Sequence, residues 1–272
     1  MTDSTTADQQ SKSRAFHALH AAGTFVLPNF WDVGSAVLLQ NLGFKALAST
    51  SAGFAQSLGR LDSQVTLDEK LKHLQEVASA TVIPINADFE HGFADAPDAC
   101  ARNLVRAIET GIAGASIEDW SRHELYDATL ATERIQACAE AAHAIDPSFV
   151  LTARAENLLR GVGNFDDTLA RLATYDNAGA DALYAPGLAN EQQISDVLGI
   201  TNKPINVLCP FLPNTTVQDY ERLGVRRISL GSALANVVTQ AAIDASQKML
   251  SKGDFSWVSQ GASGKAIQQL LS

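Results

Sequence analysis

The stretch "PINADFEHGF" (84–93) begins as a buried strand and ends in reactive groups: Asn86, Asp88 and Glu90 fall at every second position before His91-Gly92. Side chains alternate across a strand, so an amide and two carboxylates share one face. The pattern recurs. Ser116 and Glu118 share parity in "ASIED", Thr152, Arg154 and Glu156 share it in "LTARAE", and Asp62 closes the small-residue stretch "STSAGFAQSLGRLD". Asp62, Asp88, Glu90 and Glu118 therefore stand against one evident guanidinium, Arg154. Crowded carboxylates without counter-charge do not all stay ionised. A divalent cation resolves the crowding. Hard oxygen donors suit Mg²⁺ or Mn²⁺, and no His/Cys cluster points to zinc. For any one of these residues a helix cap or surface ion pair is the plainer role; the recurrence at four places sets them apart. Asn206 adds an amide at a later strand end. Arg154 keeps two readings, a substrate-carboxylate partner or a structural partner of Glu156 or Glu118. His91 reads as a loop residue. Ser232 reads as a plain N-cap rather than an anion site.

Eight apolar runs must position these groups: 24–30, 44–51, 82–90, 113–119, 149–156, 181–186, 204–209 and 226–231. Amphipathic stretches such as "TLDEKLKHLQEVASA" lie between them, with apolar residues three and four apart. Gly43, Gly111, Gly179 and Gly224 stop helices just before strands. Thr66 and Glu69 have capping-box spacing, and Asp95 reads as an N-cap. Alternating strands and helices imply parallel pairing, and eight units in roughly 230 residues fit a closed (β/α)₈ TIM barrel. The rival open dinucleotide-binding sheet lacks its glycine loop, since Gly161-Val162-Gly163 has no third glycine and lies past a strand end. An N-terminal segment and helix (1–23), a barrel (24–251) and a C-terminal extension (252–272) follow. The carboxyl ends of the strands, where the polar residues collect, carry the active site in such barrels.

Composition narrows the partners. The chain has 272 residues, 46% apolar and 18% charged, enough for a large core. Its net charge of −10 and lack of a basic cluster argue against nucleic acid or an anionic membrane. No apolar run reaches the ~18 residues of a membrane span. The opening "MTDSTTADQQSKS" lacks the apolar run of a signal peptide, so a cytoplasmic protein with a short frayed N-terminus is expected. Cys100, Cys138 and Cys209 show no CxxC spacing, which argues against a disulfide framework or structural zinc.

"LPNFWDVGSAVLLQNLGFKALASTSAGFAQSLG", "NADFEHGF", "SIED" and "LTARAE" together resemble the isocitrate lyase and phosphoenolpyruvate mutase superfamily over about residues 24–250. The resemblance implies a (β/α)₈ barrel with its last helix swapped onto a neighbouring subunit, in a homodimer or homotetramer. It implies Mg²⁺ and a small anionic oxo-acid substrate. By position, Asp88 resembles the direct metal ligand, and Glu90, Glu118 and Asp62 resemble the carboxylates that hold metal-bound waters. Arg154 resembles the arginine that pairs with the substrate carboxylate. Thr50, Ser51, Ala52 and Gly53 match the loop whose N–H groups hold the other carboxylate end. The chain departs from the pattern after the fourth strand. "WSRHELYD" has neither the cysteine of the lyases nor the lysine of the mutase and hydrolase, and Ala48 replaces the usual aromatic residue before the substrate loop.

The expected activity is Mg²⁺-dependent lyase or decarboxylase chemistry on a small 2-oxo or 2-hydroxy dicarboxylate. An enolate left by C–C cleavage is stabilised by a chelated metal. His123, Glu124 and Tyr126 in the fourth-strand loop are the candidates to move a proton. One alternative is C–P chemistry of the phosphonopyruvate type, with Arg122 or Arg160 beside the phosphonate. The other is a non-catalytic barrel that binds an oxo-acid.

Overall fold

The structure is a computed structural model that describes residues 2–271, with side chains from residue 8 onward. The chain runs α1 (Thr2–Leu19), β1 (Phe25–Leu27), β2 (Asn29–Phe30), α2 (Val33–Asn41), β3 (Leu47–Ser49), α3 (Ser51–Ser57), α4 (Leu67–Ala80) and β4 (Ile85–Asp88). It continues through α5 (Pro97–Ile108), β5 (Gly114–Glu118), α6 (Ala128–Ile145), β6 (Val150–Arg154), α7 (Asn157–Arg160), α8 (Phe165–Asn177) and β7 (Ala182–Tyr184). Last come α9 (Glu191–Gly199), β8 (Ile205–Leu208), α10 (Val217–Leu223), β9 (Arg227–Ser229), α11 (Ala233–Lys252) and α12 (Gly264–Leu271). All strand pairs are parallel, in the order β1-β9-β8-β7-β6-β5-β4-β3-β2.

β1 and β2 are two halves of the first expected strand. Pro28, which has no N–H to donate, separates them. The first half pairs with β9, the second with β3, and the barrel closes through this one strand. All eight expected runs are strands, so the (β/α)₈ barrel is as the sequence suggests. Inside and outside follow from parity. On β6, Leu151 and Ala153 join the large cluster between strands and helices, while Val150 faces inward with Leu27, Ala46, Ala48, Ala113 and Ala182.

The expected frayed start is instead helix α1, whose inner end plugs the amino side of the barrel. Phe16 is fully buried there and leaves no room for a side chain at Gly114, where a Cβ would come within 2.7 Å of its ring. Small inward residues on the strands make the space that the ring fills. Gly43, Gly111, Gly179 and Gly224 all take positive φ (95–99°), the left-handed conformation that ends a helix cheaply only at glycine. Thr66 and Glu69 form the expected capping box. Asp95 does not cap α5: Ala96 holds that position, and Asp95 accepts a hydrogen bond from the Tyr126 hydroxyl at 2.5 Å. α11 is largely exposed, with Val237, Val238 and Leu250 at 66%, 55% and 88% accessibility, while α12 folds back on α2. Among the described residues no helix is long and apolar enough to cross a membrane.

Candidate active site

A polar cavity of about 40 Å³ lies inside the carboxyl half of the barrel, space on the order of three water molecules. Its wall includes Asp88, Arg154, Tyr184, Asn206, Arg227 and Asn86, each on the inward face of its strand. Asp88 ends β4. Its Oδ2 accepts the Ser51 N–H at 3.0 Å, and its own N–H donates to Ser49 Oγ at 2.9 Å. Burial pushes the Asp88 carboxyl up, but Arg154, Lys70 and the Ser51 N–H outweigh it and hold the group below its ordinary range.

Arg154 is the hub. Its Nε donates to Glu156, and its Nη1 lies 3.5 Å from both Asp88 Oδ1 and Glu118 Oε2. Its structural pairing is seen directly: Glu156 holds its inner edge, while its tip meets Asp88 and Glu118 at the mouth. Glu156 in turn accepts from Arg160 Nε at 3.0 Å. Glu118 is buried, and burial raises its carboxyl well above the ordinary range. Arg154 opposes that rise, while Glu156, Asp88 and Glu90 add to it.

Glu90 departs from the expected alternation. The strand ends at Asp88, and Glu90 takes a left-handed conformation (φ 49°), so it leaves the barrel axis. It stays buried, with Oε2 3.1 Å from Arg122 Nη2. Burial raises its carboxyl, while Lys70 and Arg122 pull it back. Arg122 (φ 81°) and Phe93 (φ 56°) are also left-handed, and the Arg122 guanidinium lies 5.1 Å from the Phe93 ring centroid. Arg122 thus contacts both Glu90 and Phe93, and three non-glycine residues with positive φ mark backbone strain at the mouth.

Other expected residues fall elsewhere. Asp62 is exposed in the α3–α4 connection and bonds the Ser63 N–H at 3.0 Å. His123 is exposed at the tip of a turn closed by the Trp120–Leu125 bridge, with Glu124 beside it. Tyr126 is committed to Asp95 and stacked on Arg134. None of these lines the cavity. The expected substrate loop is the start of helix α3. Thr50 is its N-cap and receives Gly53 N–H at 3.4 Å; the Ser51 N–H is used by Asp88. Gly53 is required by packing, since a Cβ there would come within 2.6 Å of Thr50 Cγ2 and 3.0 Å of Trp31 Cβ.

Sequence reasoning missed three site residues. Lys70, on α4, is 1% exposed and donates to Ser49 Oγ at 3.1 Å. Tyr184, on β7, lines the cavity with Arg154 5.2 Å from its ring centroid, and burial pushes its phenol up to about 12. Arg227 forms the floor, bonded to Asn206 Oδ1 and Thr152 Oγ1 (2.9 Å each) and 3.3 Å from His20 Nε2. Burial lowers the Arg227 guanidinium to about 10. Tyr184 and Arg227 were findable, because both fall at inward parity in runs already read as strands. Lys70 was not, since one lysine in an amphipathic helix looks like any solvated one.

The donors fit a hard divalent ion. They are all oxygens, and burial raises two of the carboxyls, Glu90 and Glu118. Asn86 Oδ1, in the cavity wall, is buried without a partner. Among the described residues no three His, Cys, Asp or Glu side chains converge closely enough to hold an ion.

A closed parallel barrel carries carboxylates, a guanidinium and a phenol around a small polar cavity at its carboxyl mouth, where barrels of this kind hold their active sites. The phosphoenolpyruvate phosphomutase family profile matches residues 16–250, and the chain belongs to that family. A putative lyase/mutase of Burkholderia cenocepacia J2315 has 39% identity and a TM-score of 0.94, covering 98% of this chain and 97% of that one. An oxaloacetate decarboxylase of Rhodopseudomonas palustris is 26% identical over 97% of this chain and 90% of its own length. A phosphonopyruvate hydrolase solved with oxalate and Mg²⁺ shares the fold, with a TM-score of 0.82 at 22% identity over 95% of this chain and 94% of that one.

Proposed function

We propose that this chain is a Mg²⁺-dependent decarboxylase or lyase acting on a small 2-oxo or 2-hydroxy dicarboxylic acid. The observation that carries the reading is the pairing of Asp88 and Arg154 in one small cavity wall, a carboxylate for a cation beside a guanidinium for a carboxylate. The oxaloacetate decarboxylase likeness along nearly the whole chain supports it. Asp88 would hold the ion directly, with Glu118 and Glu90 reaching it through water, while the exposed Asp62 lies away from the cavity. When bound, the ion supplies the Lewis acidity that lets electrons from a breaking C–C bond collect on oxygen.

The chain's own groups do the rest. Arg154 pairs with the substrate carboxylate through its tip; among the described residues Nη2 has no protein partner. A planar guanidinium grips a carboxylate with two parallel bonds. The start of α3 (Thr50, Ser51, Ala52, Gly53) borders the other end of the substrate, and Asn206 anchors the floor through Arg227. Tyr184, which keeps its proton at neutral pH, is placed to protonate the carbon that loses CO₂. Tyr184 replaces His123 in that role, because His123 points to solvent. The second reading is C–P chemistry of the phosphonopyruvate type, which the phosphoenolpyruvate phosphomutase profile supports; Arg122 and Arg160, the cations expected beside a phosphonate, each pair with a carboxylate. The exposed apolar residues of α11 suit packing on a second copy in a dimer or tetramer; a monomer mass by light scattering would remove that part.

The test is turnover of an oxo-acid panel with and without Mg²⁺. Pyruvate with CO₂ from oxaloacetate, lost in Asp88→Ala while the fold persists by circular dichroism, is the expected result. Metal-independent turnover, or full activity in Asp88→Ala, would sink the reading.

A further inference from the structure

Each carboxylate at the mouth already faces a cation of the protein. Glu90 has Arg122, Asp88 and Glu118 share Arg154, and Glu156 sits between Arg154 and Arg160. Behind this layer lies Lys70. Its only hydrogen-bond partner among the described residues is Ser49 Oγ, and no carboxylate there lies within 4.0 Å of Nζ. The same Oγ accepts the Asp88 N–H, so one hydroxyl separates the ammonium from the Asp88 backbone. Burial lowers the Lys70 ammonium below its ordinary range, while Asp88, Glu90 and Asp62 together oppose that fall. A buried ammonium with one neutral partner is costly, and replacing such a group with an apolar side chain of similar size is often neutral or stabilising. What the ammonium adds is charge at the mouth.

Lys70 adds a fourth cation to Arg122, Arg154 and Arg160 around Asp88, Glu90, Glu118 and Glu156. A free divalent ion meets these cations and, among the described residues, no three converging His, Cys, Asp or Glu side chains. A chelating acid brings both the missing negative charge and the missing oxygens. We propose that Lys70 makes divalent-metal binding at Asp88 conditional on a chelating oxo-acid, so that ion and acid bind as mutually dependent partners. The inference rests on the metal-dependent reading above and adds the order imposed on binding. Linkage requires each ligand to tighten the other by one and the same factor.

The experiment is calorimetric titration of the full chain with MgCl₂, alone and with saturating oxalate, a chelating diacid used here as the probe. Weak Mg²⁺ binding alone is expected, tightened at least about tenfold by oxalate, with the reciprocal effect of Mg²⁺ on oxalate. Lys70→Met and Lys70→Gln should each tighten Mg²⁺ alone by about tenfold and shrink the oxalate factor. Lys70→Gln keeps a donor toward Ser49, so it separates charge from the hydrogen bond. Melting in metal-free buffer confirms folding, and Lys70→Met should melt no lower than the parent. Equal Mg²⁺ affinity with and without oxalate, or unchanged Mg²⁺ affinity in folded Lys70→Gln, overturns the inference while leaving a metal-dependent enzyme. If neither Mg²⁺ nor oxalate binds in any combination, the metal-dependent reading itself fails and the inference falls with it.

Discussion

Glu118 and Asp119 are consecutive residues, both buried and both with carboxyls that burial raises, yet they belong to different regions of the molecule. Glu118 ends β5 facing the barrel axis. Its one cationic partner, Arg154 at 3.5 Å, is shared with Asp88, and Glu156, Asp88 and Glu90 disfavour its ionised form. Asp119 turns outward. It accepts from the Tyr175 hydroxyl at 2.6 Å, the Glu156 N–H at 2.8 Å and Arg171 Nη1 at 3.2 Å, while Arg171 also bonds Tyr126 O. The outer carboxylate is saturated with donors and ties β5, β6 and α8 together. The inner one is under-satisfied, which destabilises the empty site but leaves oxygen lone pairs for a ligand. Satisfaction of hydrogen bonds, rather than burial or charge, separates the structural acid from the site acid.

The sharpest way to break the comparison is at Arg154, which serves both regions. Losing a charge-assisted pair to substrate in a dry site should cost about 2–5 kcal/mol of transition-state stabilisation. That is roughly 30- to 5000-fold in kcat/KM. Arg154→Lys should restore only part, since an ammonium lacks the planar fork. Steady-state kinetics and thermal melting on one preparation decide it. A destabilised but fully active Arg154→Lys would make the residue purely structural.

Asp119→Asn tests the outer region. It removes the charge facing Arg171 and should lower stability by about 2–3 kcal/mol, with kcat/KM of the folded fraction near the parent value. Denaturant unfolding with active-site titration reads both. A large kcat/KM loss without destabilisation would dissolve the division between the two carboxylates.

The smallest effect belongs to His143, on the outside of the barrel, where Asp181 Oδ2 lies 2.9 Å away. That hydrogen bond raises the imidazole above its ordinary value of 6.5, with burial opposing. The folded value exceeds the unfolded one, so the pair's stabilisation is complete below pH 6.5 and fades as pH rises through the folded value. His143 is about a third exposed, so solvent screening limits the effect to no more than about 1 kcal/mol. Melting temperature against pH, with His143→Gln as reference, should converge at high pH. Divergence that grows with pH would reverse the sign and refute the pairing.

Much of this was legible in the chain. The eight runs of apolar residues dictate eight strands, because parallel strands covered on both sides are apolar throughout. The turn glycines mark helix ends because only glycine adopts their backbone cheaply. Parity brought Asn86, Asp88, Ser116, Glu118 and Arg154 to one interior, because alternation in a strand is a local property. Parity failed where strands end. Glu90 lies two residues past β4, where a left-handed turn, not alternation, sets direction, and "STSAGFAQS" became a helix once Thr50 offered a cap.

Sequence alone thus determined the barrel, its closure and which strand ends carry carboxylates, since periodicity, turn chemistry and side-chain type are written residue by residue. Only the tertiary structure decided which cation meets which carboxylate. Arg122 reaches Glu90 across 32 positions, Arg154 reaches Asp88 across 66, and Lys70 approaches through Ser49 from 21 away. The physical reason is range. Coulomb energy and desolvation depend on distance through the folded interior, and contacts that distant in sequence exist only after the barrel closes.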